Sequence, residues 1–95
     1  MTAYVILDVD VTDPALYEEY KKLSGPALLP FGGRFVVRGG PVEVIEGDWR
    51  PSRVVVLEFP SSDLAREWWG SEVYRGAKAI RQRASRGNMI LLEGA

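Results

Sequence analysis

Apolar and polar positions alternate along Ala3–Val11. Val5, Leu7, Val9 and Val11 fall on one side and Tyr4, Ile6, Asp8 and Asp10 on the other, the period-two signature of a strand. The period then changes. Thr12-Asp13-Pro14 reads as a helix start, with Asp13 placed to accept from free amides and Pro14 at the first helical position, where its missing N–H costs nothing. Leu16, Tyr20, Leu23 and Ala27, with Tyr17 alongside, continue as an apolar stripe at helical spacing. Gly25-Pro26 predicts a kink or break, because proline removes a helix hydrogen bond and crowds the preceding turn. A short helical turn through Leu28 and Leu29 is expected beyond it, ended by Gly32-Gly33.

Between two glycine pairs lies Arg34-Phe35-Val36-Val37-Arg38, a second strand. Strict alternation sends Phe35 and Val37 to one face and Arg34, Val36 and Arg38 to the other, one side greasy and one basic. Val42–Glu46 fits either a short strand or an irregular arm, and Gly47-Asp48-Trp49-Arg50-Pro51 is a turn-rich connection. Arg53–Phe59 alternates again, with Val55, Leu57 and Phe59 opposed to Val54, Val56 and Glu58. Pro60-Ser61-Ser62-Asp63 stops that strand and offers hydroxyl caps for a helix starting near Leu64, whose apolar members are Leu64, Ala65, Trp68 and Trp69. Gly70-Ser71 separates it from a second helical segment carrying Tyr74, Ala77 and Ile80, with Arg81 and Ala84 close by. Gly87 is the expected stop before a last strand over 88–93.

The order strand, helix, strand, strand, helix, strand predicts a split βαβ arrangement of the α+β class. Right-handed crossovers put both helices on one face of a four-stranded antiparallel sheet. Val5, Leu7, Val9, Phe35, Val37, Val55, Leu57 and Phe59 are then the core side. The other face still shows Tyr4, Ile6, Val36, Val54 and Val56, joined by either Met89 and Leu91 or Ile90 and Leu92, and a contiguous patch of that kind is seldom left in water. A homodimer packing two such faces into a barrel-like body is the expectation.

Composition narrows the chemistry. The 95 residues fit one domain, 1–95, and no apolar run approaches the roughly 20 residues of a membrane span, so a cytoplasmic protein without membrane attachment is expected. Histidine and cysteine are both absent. Imidazole acid–base catalysis, Ser-His-Asp triads, thiolate metal sites and disulfides are therefore excluded, and no metal or cofactor is expected. The net charge is −1, but Arg75, Lys78, Arg81, Arg83 and Arg86 follow Glu72 with no acid before Glu93. A solvated helix face explains this run better than a nucleic-acid surface, since no recognition aromatics are interleaved with it.

The combination of Ala3-Tyr4 opening a strand, Asp13-Pro14 with Tyr17 and Tyr20, the Gly32–Gly40 arginine strand, Glu46-Gly47, Pro51 with Arg53, Val54-Val55-Val56-Leu57-Glu58-Phe59-Pro60-Ser61, and Ser71 with Tyr74 resembles the domain of unknown function 1330 family, within the dimeric α/β-barrel superfamily. The resemblance covers nearly the whole chain. Glu72 departs from the proline that relatives usually place after the serine. The resemblance implies a ferredoxin-like homodimer and transfers no activity. Superfamily relatives include cofactor-independent monooxygenases, isomerases and plain binding proteins.

Two functional readings follow. In the first, the dimer binds a small organic carboxylate or aromatic molecule, in the cleft between sheet and helices or in the dimer lumen, with Arg38, Arg34, Tyr4, Trp68, Trp69 and Tyr74 as its contacts. In the second, a cofactor-independent oxygenase or isomerase uses Arg38 as anion anchor and Glu58 or Asp8 as general base, since without histidine a base near neutral pH is a carboxylate, a tyrosine or a neutralised lysine. Arg34 and Arg38 are about 13 Å apart at roughly 3.3 Å per residue, too far to clamp one carboxylate together. Against both stands a plainer account, in which these charges neutralise one another as structural ion pairs and the aromatics are core.

Overall fold

The alternating stretches pair into one antiparallel sheet of order β2-β3-β1-β4, formed by β1 (Ala3–Val11), β2 (Arg34–Arg38), β3 (Arg53–Phe59) and β4 (Ser85–Glu93). The computed structural model describes Met1–Ala95. Helices α1 (Pro14–Leu28), α2 (Ser62–Trp69) and α3 (Glu72–Ala84) pack on one face, giving the ferredoxin-like α+β arrangement. No helix is long and apolar enough to cross a membrane. Two caps fall where the sequence places them, Asp13 accepting from the Leu16 amide at 3.1 Å and Ser61 from Leu64 at 3.2 Å, and Ser71, read only as a break, caps α3 by accepting from Tyr74 at 3.1 Å. Each satisfies an orphan donor of a first turn.

Val5, Leu7, Val9, Val55, Leu57 and Phe59 are buried beneath the helices, where they meet Tyr17, Tyr20, Ala27, Leu28, Ala65, Trp68, Tyr74, Ala77 and Ala84. Strand β4 settles its phase by register. Leu91 pairs with Val5 and Met89 with Leu7, so these two join the core side, while Ile90 and Leu92 stand on the open face opposite Ile6 and Tyr4. Residues 42–46 form an irregular arm.

Four sequence expectations are corrected. The helix does not break at Gly25-Pro26: α1 runs to Leu28 and passes into a 3-10 turn over Leu29–Phe31. Leu23 is exposed, and the stripe that is buried runs through Tyr17, Tyr20, Ser24, Ala27 and Leu28. Gly87 does not end a helix. Strand β4 begins at Ser85, directly after α3, and Gly87 lies inside it because a Cβ there would collide with the backbone carbonyl of Asp8 on the neighbouring strand.

The fourth correction decides the site. Strand β2 contains a bulge: Arg34 pairs with Glu58 and Phe35 with Leu57, then Val37 with Val56 and Arg38 with Val55, leaving Val36 as the additional residue. An extra residue reverses which face every later side chain occupies. Val37, expected in the core, is on the open face and 40% exposed. Arg38, expected on the open face, is on the helix side.

Candidate functional site

Between the helices and the β2–β3 end of the sheet lies a cleft of about 390 Å³ including its open mouth. Nine of its 13 lining residues are hydrophobic, among them Tyr17, Tyr20, Phe35, Leu57, Trp68 and Met89, and the other four are Lys21, Ser24, Arg38 and Arg53. No carboxylate lines it. The interior is narrow, with about 20 Å³ open to a water-sized body, and of its lining Phe35 is half-buried and Arg38 exposed.

The bulge brings Arg38 here. Its Nη2 donates to the Lys21 carbonyl of α1 at 3.0 Å, and its guanidinium lies 4.1 Å from the centre of the Phe35 ring. Arg53 arrives by parity: it shares the face of Val55, Leu57 and Phe59, and its guanidinium is 5.5 Å from the Tyr17 ring centre. Gly39, at φ +72°, packs against that guanidinium so closely that a Cβ would overlap it. The Arg53 Nε is buried without a hydrogen-bond partner, and so is the Trp68 Nε1. Of the three cations only Lys21 has an acid nearby, Glu18 at 3.2 Å on the outer side of α1. A buried or half-buried guanidinium beside aromatic rings, with no carboxylate, is an arrangement that favours an anion.

The other sequence-proposed residues lie elsewhere. Arg34 and Glu58 meet on the open face as an ion pair, Arg34 Nε to Glu58 Oε1 at 2.8 Å. Asp8 is on the same face and accepts from the Trp49 indole at 2.8 Å, with Tyr4 further along β1. Arg38 is thus separated by the sheet from both Glu58 and Asp8. Trp68 is a wall of the cleft. Trp69 is exposed with Lys78 Nζ 3.7 Å above its ring, outside the cleft, and Tyr74 is completely buried behind it, stacked on Trp68 at 4.2 Å.

Arg53, Lys21 and Tyr20 were not singled out as site residues from the sequence. The available signal was parity: an arginine in phase with Val55, Leu57 and Phe59 is a cation on the core side. Tyr20 hydrogen-bonds Tyr74, hydroxyl to hydroxyl at 2.9 Å. Burial first, and then the adjacent Tyr74, push its phenol well above the ordinary value, with Arg81 pulling weakly the other way. Tyr20 therefore holds its proton in the fold at a pH where the unfolded chain, at about pH 10, begins to release it. That contribution is complete below pH 10 and is lost as pH rises above it, at up to about 1.4 kcal/mol per pH unit. Urea unfolding of wild type and Tyr20→Phe between pH 8 and 11 should show the steeper decline in the wild type.

Comparison with known proteins agrees with this architecture. A family model for a domain of unknown function (DUF1330) matches residues 2–95. No curated protein matches the chain. A protein of unknown function from Rhodopseudomonas palustris is 24% identical, with a TM-score of 0.79 over 99% of this chain and 82% of that one. SnoaB, a cofactor-independent oxygenase from Streptomyces nogalater, is 13% identical with a TM-score of 0.69, covering 99% and 93%. A Mycobacterium tuberculosis protein, Rv0793, is 16% identical with a TM-score of 0.58, covering 100% and 96%. At these identities the shared property is the fold.

Proposed function

The chain belongs to the DUF1330 family, a domain of unknown function, and on that premise we propose that it binds a compact apolar acid, an aromatic or alicyclic carboxylate or phenolate, in the cleft between sheet and helices, with a second copy closing the open sheet face. The observation that carries the reading is the pairing of an apolar lining with Arg38 and Arg53, neither of which has a carboxylate within ion-pair distance, and with a buried Arg53 Nε that has no partner. A ligand anion supplies what the guanidinium lacks, and the rings of Tyr17, Phe35 and Trp68 take its apolar body.

The second copy is supported by the open face itself. Val36, Val37, Ile90 and Leu92 are each 40–52% exposed there. Both signs of charge, Asp8, Asp10 and Glu58 against Arg34 and Arg86, occupy the same face, as a two-fold interface requires of a surface that must complement itself. The arm adds Ile45 at 86% and Trp49 at 62% exposure.

The direct test is calorimetric titration with 4-isopropenylbenzoate and with its uncharged amide. The acid is expected to bind, the amide to bind more weakly, and Arg53→Gln to cost the acid about 10- to 100-fold in affinity, the worth of a hydrogen bond to a charged group. Equal affinity for acid and amide, or an Arg53→Gln variant that binds the acid as wild type does, removes the anion site.

A second reading, cofactor-independent oxygenation or isomerisation in the same cleft, draws on the fold shared with SnoaB. In it the cations lower the pKa of a bound phenol or enolisable acid, since Glu58 and Asp8 lie across the sheet. Oxygen uptake with an aromatic hydroxy acid tests it.

A further inference from the structure

Tyr20 lines the cleft, and behind it a polar chain crosses the helix layer. Arg81 on α3 is 8% exposed and has no carboxylate within ion-pair distance. Its Nε donates to the Tyr74 hydroxyl at 3.2 Å, and the Tyr74 and Tyr20 hydroxyls are 2.9 Å apart. No other side-chain hydrogen bond involves either hydroxyl.

Counting protons gives the chain a direction. Three hydrogens, on Arg81 Nε, Tyr74 Oη and Tyr20 Oη, serve two oxygens, so one hydroxyl hydrogen of the pair has no acceptor in the protein. Arg81 only donates, so the surplus falls on Tyr74 or on Tyr20. Tyr74 is fully buried and does not line the cleft, and a donor abandoned there costs its full desolvation. Tyr20 is the one of the two residues that lines the cleft. The order that avoids the cost is Arg81 to Tyr74, Tyr74 to Tyr20, and Tyr20 onward into the cleft. A cation at the head of such a chain polarises each successive hydroxyl and strengthens the last donor.

We propose that Tyr20 is a second recognition group of the cleft, donating to an uncharged acceptor oxygen of the ligand, with Tyr74 and Arg81 as positioning residues. The ligand class is thereby narrowed to an apolar acid that carries a carbonyl or ether oxygen away from its anionic group. The inference rests on the anion-binding reading above.

The test uses two acids of nearly the same shape, 4-acetylbenzoate and 4-isopropenylbenzoate, which differ by a carbonyl oxygen in place of a methylene. Wild type is expected to prefer the ketone by about fivefold, the worth of one net hydrogen bond near 1 kcal/mol. Tyr20→Phe should lose that preference while keeping its affinity for 4-isopropenylbenzoate. The infrared carbonyl stretch of bound 4-acetylbenzoate should lie lower in wild type than in Tyr20→Phe, a signature that a purely structural tyrosine does not produce. Circular dichroism checks that the variant is folded. If both acids bind in an Arg53-dependent manner and the ketone shows neither preference nor shifted stretch, or if both survive Tyr20→Phe, the Tyr20 assignment is overturned and the anion site stands. If neither acid binds, or binding ignores Arg53, the underlying reading falls and takes this one with it.

Discussion

Phe59→Ala is expected to destabilise the protein by about 3–5 kcal/mol, the usual cost of emptying a fully buried aromatic site. Phe59 ends the central strand β3, is 0% exposed, and places its ring 5.4 Å from that of Trp68. Gly33 touches the ring from the other side: a Cβ there would sit 2.7 Å from Phe59 Cε1. The site is walled by backbone and by a tryptophan itself stacked on Tyr74, so it has little room to collapse and the cavity term is retained. A domain of this length holds roughly 5–15 kcal/mol in all, so the loss is a large share of it and corresponds to more than about 12 °C in Tm. Phe59→Leu, which refills most of the volume, should recover the greater part. Thermal unfolding followed by circular dichroism decides, and a shift below about 5 °C for Phe59→Ala refutes this packing.

The second copy proposed for the open face predicts a change of mass. Ile90 is 52% exposed on that face, beside Ile6 on β1. Ile90→Asp removes no core contact in the single chain, but in a face-to-face pair it buries a carboxylate against apolar side chains, at several kcal/mol per copy. Both copies carry the change, so the penalty is counted twice across a two-fold axis. Light scattering should give twice 10.6 kDa for wild type and 10.6 kDa for Ile90→Asp, with an unchanged circular dichroism spectrum. A wild-type mass of 10.6 kDa at micromolar concentration refutes the pairing, and a variant that stays at twice that mass moves the interface off β4.

The elements were legible because their signals were local. Asp13 and Ser61 cap helices by reaching amides three residues on, and the alternation of Val5, Leu7 and Val9 needs only the next strand to satisfy it. The candidate site was less legible because it depends on register between distant strands. Nothing within Arg34-Phe35-Val36-Val37-Arg38 announces a bulge, for it contains no glycine and its apolar run Phe35-Val36-Val37 fits either phase. The bulge becomes visible only when β3 fixes the partners. Gly25-Pro26 falls within the final residues of α1, which runs on to Leu28 before tightening into the 3-10 turn. Arg81 is a different case. It continues the buried stripe of Tyr74, Ala77 and Ala84, where a charge implies an internal polar partner that helical spacing alone does not name.

The bulge has one more consequence, which concerns how such a cleft diverges among relatives. Whether Arg38 faces the helices is settled by whether Val36 is bulged or paired, not by the identity of any charged side chain. Deleting Val36 would remove the bulge and leave Val37 opposite Val56 and Arg38 opposite Val55, whereas Val36 paired regularly with Val56 would return Val37 to the helix side and turn Arg38 outward. Two homologues with the same residues in this strand, one bulged and one regularly paired, would then present clefts of different charge, and an alignment of their sequences would hide it. The charge of this cleft is written in the pairing of a strand.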